Sequence, residues 1–228
     1  MFNGDQKSSR YGDELSVSLP RPAGVWIPPG FAVRTLTSEQ RRLPVYLLIE
    51  ASGALGSDYT EAISVGISVL CDALRSDARI LQVDVSVLAF GSSAKQIVPL
   101  TRIEDFVSPL IETAGGVALG EGIRCLSECV ARDVYWDASE GLGPDLKPIA
   151  IIILQNAPTD DWEPHASVLK REGFVDVVVC LLGQCPRASR FRALSEHLVS
   201  VTKFYPEGAE DLFRWLSAVV LQSRGFSA

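Results

Sequence analysis

Glu50 and Ser52 stand two residues apart at the end of the apolar segment LPVYLLIEASG. A carboxylate followed by a hydroxyl on a small-residue turn offers hard oxygen atoms. Such atoms bind either a divalent cation or neighbouring N–H groups. Other reactive side chains are sparse. Cys125 and Cys129, four residues apart on an expected helix, share a face and can ligate a metal only with further ligands. Cys180 and Cys185 flank a strand end, and Cys71 stands alone. Five cysteines, an odd number without a CxxC, read as free thiols in a reducing compartment. His165 and His197 are too few for a typical His-based zinc site, and no GxSxG or HExxH occurs. The loop EASGALGSD is neither GxGxxG nor GxxxxGK[ST], and it lacks a lysine to meet a phosphate. The segment TAGGVALGEG is glycine-rich and opens a helix, which is a setting that can cradle an anion.

The elements that position Glu50 follow from the hydrophobic pattern. Runs of Val, Ile and Leu bounded by Gly, Pro, Asp or Ser predict strands over Leu43–Glu50, Leu81–Phe90, Ala94–Leu100, Pro148–Gln155, Val175–Leu182 and Leu198–Phe204. Helices fall between them. Ile63, Ile67, Leu70 and Leu74 recur at 4, 3, 4 spacing, as do Leu119, Ile123, Leu126 and Val130, and each set makes one apolar stripe for a sheet face. Thr159 or Asp160 is expected to cap a helix starting near Asp161. A last helix, from about Gly208 to Ser223, is expected to turn Leu212, Trp215, Leu216, Val219 and Val220 inward. The turn Phe90-Gly91-Ser92-Ser93 predicts an antiparallel hairpin. The other strands are expected to be parallel, with Leu43–Glu50 and Pro148–Gln155 adjacent at the centre because both are apolar on both faces. The fold class is therefore α/β: a doubly wound, Rossmann-like three-layer sandwich. Its six-stranded sheet is mainly parallel, with one antiparallel edge strand.

With 228 residues, 47% of them hydrophobic and 21% charged, the chain suits one such domain over residues 41–228 plus an arm over residues 1–40. The arm is polar at first and then reads LPRPAGVWIPPG. Its prolines favour extended or turn structure. Val25, Trp26, Ile27 and Phe31 make it apolar enough either to lie on its own domain or to dock on a partner. The net charge of -7 argues against nucleic acid or an anionic membrane as the main partner. No apolar run approaches the ~20 residues of a bilayer span, and the first residues lack a signal core. The expectation is a cytoplasmic protein.

The stretches RRLPVYLLIEASGAL, VLAFGSSAKQIVPLT, TAGGVALGEGI and IILQNAPTDDWE resemble those of von Willebrand factor A (VWA) domains. The TDDW of the last is similar to the bacterial tellurium-resistance, TerY-type subfamily. The resemblance runs from about Arg41 to Ser223. It implies that TAGGVALGEG is the VWA turn, and that three loops at the carboxyl end of the sheet meet where family members hold a magnesium-like ion. The family signature begins Asp-x-Ser-x-Ser. The matching positions here are Glu50, Ser52 and Ala54 in the first loop, Val117 in the second and Gln155 in the third. Glu50 keeps the carboxylate but is one methylene longer. Ala54 and Val117 lack the family's hydroxyls, and Gln155 lacks its charge. The resemblance thus implies a degenerate metal-ion-dependent adhesion site with no metal and no cofactor. Glu50 is then expected to bond to N–H groups of the turn at Ser52–Leu55, or to Gln155. Asp160 and Asp161 belong to the next helix start and are not substitute ligands.

The function implied is that of a non-catalytic protein-binding adaptor. Its partners would be those of tellurium-resistance and stress-response clusters, including a protein kinase or a PP2C-like phosphatase. Partner contact is expected on the degenerate face, lined by Ala54, Leu55, Val117 and Ala157, or on the arm. A metal-dependent binder with a variant ion site and a nucleotide- or anion-binding α/β enzyme are the alternatives.

Overall fold

The computed structural model describes residues 41–77, 82–136, 144–183, 188–202 and 204–222. The arm over residues 1–40, with Val25, Trp26, Ile27 and Phe31, lies outside the described residues, as does Cys185. Six strands form one sheet: β1 (Arg42–Glu50), β2 (Gln82–Phe90), β3 (Ala94–Arg102), β4 (Ile149–Leu154), β5 (Asp176–Leu182) and β6 (His197–Val201). Among the described residues four α-helices accompany them: α1 (Ser57–Asp77), α2 (Leu119–Asp133), α3 (Glu163–Glu172) and α4 (Pro206–Gln222). A short 3-10 helix spans Ala188–Ala193.

The strand order is β3-β2-β1-β4-β5-β6. All neighbours are parallel except β2 and β3, which form an antiparallel hairpin through Gly91–Ser93. β3, which contains Pro99, lies at the edge, where a residue without an N–H is tolerated. β1 and β4 hold the centre, as their unbroken apolar character requires. Along β1, Leu43, Val45, Leu47 and Ile49 enter one core while Tyr46 and Leu48 enter the other. In β4, Ile149, Ile151 and Ile153 likewise oppose Ala150, Ile152 and Leu154. Each fully buried Leu or Ile contributes about 1.5–3 kcal/mol. A charge placed on either face would therefore be severely destabilising.

The helical stripes dock as their spacing demands. Ile63, Ile67, Leu70 and Leu74 of α1 share the first core with Leu212, Phe213, Leu216 and Val220 of α4. Leu119, Ile123, Leu126 and Val130 of α2 share the second with Trp162, Ala166 and Leu169. α3 stops at Gly173, whose φ of 63° is the left-handed conformation that glycine adopts without strain.

One expected inward residue is corrected. Trp215 is 47% exposed, and Phe213 is fully buried in its place. Gly66 of α1 decides this: a Cβ there would lie 2.2 Å from the Phe213 ring, so the glycine gap receives that ring. Trp215 fits the same helical spacing but falls on the flank of the buried stripe.

The chain runs outward from β1 to β2 on one side and to β4 on the other. The carboxyl ends of β1 and β4 thus form a topological switch point, where open sheets leave a crevice between diverging connections. Glu50 ends β1 at that point.

Candidate functional site

Glu50 is completely buried, and its carboxylate is fully engaged. Oε2 accepts the backbone N–H groups of Gln155 (2.6 Å) and Asn156 (2.9 Å). Oε1 accepts the Ser52 hydroxyl (2.6 Å) and the Asn156 side-chain amide (2.8 Å). The strand register explains these partners. Ile49 is level with Ile153, so the chain beyond β4 turns over the end of β1 with its N–H groups pointing at the carboxylate. The longer reach of Glu, compared with Asp, lets the side chain cross to the neighbouring loop. The Tyr59 hydroxyl donates to the Glu50 carbonyl at 3.2 Å. Burial, with the Glu50 charge adding to it, holds that hydroxyl well above the ordinary tyrosine pKa.

Of the two expected sources of donors, Gln155 serves, through its backbone N–H. In the Ser52–Leu55 turn, Gly53 N–H donates to the Gly115 carbonyl and Leu55 N–H to that of Ser52, and the turn reaches the carboxylate through the Ser52 hydroxyl. Asn156, which supplies two of the four bonds, is absent from the sequence-level site. Its signal was available, since it is a polar donor directly after an apolar strand that faces a buried carboxylate.

The surrounding loops are stitched to one another. Ala51 N–H donates to Phe90 O (2.7 Å), Ala114 N–H to Ala51 O (2.9 Å) and Ala118 N–H to Gly91 O (2.7 Å). Gly116 N–H donates to Ser92 Oγ at 2.8 Å. Glycine is required at two of these approaches. A Cβ on Gly91 would lie 2.5 Å from Ala114 O, and Gly115 has φ +73° with Ser92 Oγ 2.2 Å from the position of its absent Cβ.

Val117 and Leu55 do not line an open concavity, as the sequence reading expected. Both are buried, at 4% and 8% exposure, in opposite cores. The outward residues of these loops include Ala54, Ser92, Ser93, Ala114 and Ala157, all small and uncharged, with Glu112, Thr159 and Asp161 exposed at the margin. Among the described residues no group of three or more His, Cys, Asp and Glu side chains gathers as metal ligands.

Thr159 and Asp160 also act differently from expectation. α3 starts at Glu163, and its N-cap residue Trp162 makes no side-chain cap bond. Asp160 instead caps α2: its Oδ2 accepts the Gly120 N–H at 2.8 Å, beside the positive end of that helix. Thr159 brackets the Val117 backbone, with its N–H donating to Val117 O at 2.8 Å. Trp162, 1% exposed, stacks on Phe191 at 5.1 Å. The TDDW segment is thus a clasp between the third loop and the start of α2. Asp160→Ala is expected to lower stability by about 1 kcal/mol, the usual worth of a helix cap. Urea unfolding would read this as a lower midpoint at unchanged slope.

With the geometry in view, the class of fold is plain: the chain has the von Willebrand factor A fold. The von Willebrand factor type A structure from Catenulispora acidiphila superposes with a TM-score of 0.62 at 14% identity, covering 79% of this chain and 43% of that one. Proximal thread matrix protein 1 from the mussel byssus, with a zinc-occupied MIDAS motif, gives 0.56 at 17% identity, covering 80% and 48%. The pilus adhesin SpaC from Lactobacillus rhamnosus GG gives 0.62 at 12% identity, covering 82% and 31%. The chain therefore spans less than half the length of each. No family model matches the sequence, and no curated protein does so. No helix among the described residues is long and apolar enough to cross a membrane.

Proposed function

We propose that this chain is a non-catalytic protein-binding adaptor whose VWA fold works without a metal ion. The carrying observation is the saturated Glu50 carboxylate. All four bonds at its oxygens come from N–H or O–H donors, so the space before them presents positive dipoles. A magnesium-like ion needs about six oxygens. Here the residues do not fit one: Ala54 brings no side-chain oxygen, Val117 is buried and apolar, and Gln155 brings a neutral amide with no formal charge. The internal network takes over the structural work that an ion would do, tying β1 to the loop after β4. What is left for recognition is the small-residue surface around Ala54, Ser92 and Ala157. The likeness of IILQNAPTDDWE to TerY-type segments supports a bacterial tellurium-resistance or stress-response setting, with a kinase, a PP2C-like phosphatase or a related protein as partner.

Calorimetric titration with magnesium or manganese tests the reading. The wild-type protein is expected to give no saturable heat at millimolar metal. Glu50→Asp, Ala54→Ser, Val117→Thr and Gln155→Asp together are expected to create measurable affinity, because they return carboxylates and hydroxyls to the crevice. Micromolar affinity in the wild type would overturn the proposal. Once a partner is in hand, Ala54→Arg on this exposed loop should weaken its binding without altering the melting temperature.

A further inference from the structure

Val65 and Val69 stand one turn apart on α1 and remain partly exposed where residues 107–110 cross the helix. Together with Asp72, Ser108, Pro109 and Leu110 they line a groove of about 520 Å³. Val107 and Leu110 beside it are 78% and 79% exposed. Ser64 and Ser68 complete the α1 wall, and the two valines with Pro109 and Leu110 give the groove a mainly apolar floor of the kind that a partner side chain can fill. The crossing segment is held in place. Arg75 donates to the carbonyls of Ile103 (2.9 Å) and Phe106 (2.8 Å) and pairs with Asp72 at 2.7 Å.

Charge identifies the occupant. α1 and residues 103–118 together carry seven Asp and Glu residues against one basic residue, Arg75, which is already engaged. Glu61 and Asp72 bracket the two valines along one strip of the helix, at i−4 from Val65 and i+3 from Val69. Glu61, Asp105 and Glu112 make no ion pair among the described residues. Asp72 shares its charge with Arg75, so Glu61 is the uncompensated acid on that strip, and an apolar groove with a net acidic margin selects an apolar ligand that carries basic residues.

We propose that this groove docks a segment of a partner protein in which aliphatic side chains are flanked by Lys and Arg. A second copy of this chain is a poor occupant, because a two-fold contact would set the same acids against each other. The surface shares no residue with the Glu50 loops, so it stands or falls independently of the function proposed above.

The test uses the full chain as bait for a random dodecapeptide display library, with the double variant Val69→Lys, Leu110→Lys as counter-bait. Leu110→Ser serves as a milder control, since that side chain is largely in solvent and its loss cannot unfold the domain. Peptides enriched on the wild type are expected to combine Leu, Ile or Val with at least two Lys or Arg. By fluorescence anisotropy they should lose tenfold or more in affinity for the double variant and at least threefold for Leu110→Ser, and bind more weakly as salt rises. Three results would each overturn the proposal: no enrichment over the counter-bait, enriched peptides without basic residues, or a concentration-dependent dimer that the double variant abolishes. The last would assign the groove to a second copy.

Discussion

Glu50→Ala is expected to destabilise the domain by about 3–5 kcal/mol, the range for stranding buried groups that a charge had satisfied. The change removes an acceptor from two backbone N–H groups, one hydroxyl and one amide, all converging on a side chain with no solvent exposure. Water cannot replace it without opening the junction between β1 and the loop after β4. Glu50→Gln should cost less, about 1.5–3 kcal/mol, which is the worth of bonds to a charged acceptor. Its amide nitrogen can take the Oε1 position if Ser52 turns its hydroxyl and Asn156 reverses its side-chain amide, leaving Oε2 to the backbone donors. Glu50→Asp keeps the charge but shortens the reach, and is expected to lie between the two. The order Ala, then Asp, then Gln, from most to least destabilised in urea unfolding, follows from the geometry. An Ala cost under about 1 kcal/mol, no more than one ordinary hydrogen bond, would mean that the network is not what holds the crevice.

Arg42→Ala is expected to cost a similar amount, about 3–5 kcal/mol, by breaking a buried ion cluster. Arg42 opens β1 at the opposite end of the sheet from Glu50. Its guanidinium bonds both oxygens of Asp145 (3.0 and 2.5 Å), Asp84 at 3.3 Å and the Asp133 carbonyl at 2.7 Å, and stacks 5.0 Å from the centre of the Tyr135 ring. The two carboxylates are each only 4% exposed at their side chains. Removing the cation leaves both without their counter-charge. Arg42→Lys should recover little, since an ammonium cannot bond Asp145 as a fork while also reaching Asp84 and Asp133. The triple variant Arg42→Met, Asp84→Leu, Asp145→Asn should restore much of the loss. No buried charge then lacks a partner, and the side-chain oxygen kept by Asp145→Asn can still accept the Tyr135 N–H. If the triple variant is as unstable as the single, packing around Arg42 and not charge pairing carries the effect.

These two sites mark the boundary between what was legible in the residues and what was not. The amino-acid sequence by itself determined all six strands to within a few residues, the β2–β3 hairpin, the central place of β1 and β4, and the buried stripes of α1 and α2. These are consequences of local periodicity: a strand covered on both faces must be apolar at every position, and a helix on a sheet must be apolar every three or four residues. It also placed Glu50 at the mouth of the switch point, because the carboxylate directly follows the apolar run. Only the tertiary structure decided the partners. Asn156 meets Glu50 across 106 positions, and Asp145 meets Arg42 across 103. Asp160 caps α2 and not α3 because the clasp brings it to Gly120. Phe213 is inward, seated in the gap that Gly66 leaves on another helix, while Trp215 falls on the flank of the stripe. The reason is common to all four. Hydrophobic burial follows a repeat that each segment carries in itself, whereas a buried polar group, or one of two equally spaced aromatics, is settled by whichever distant atoms the strand order delivers.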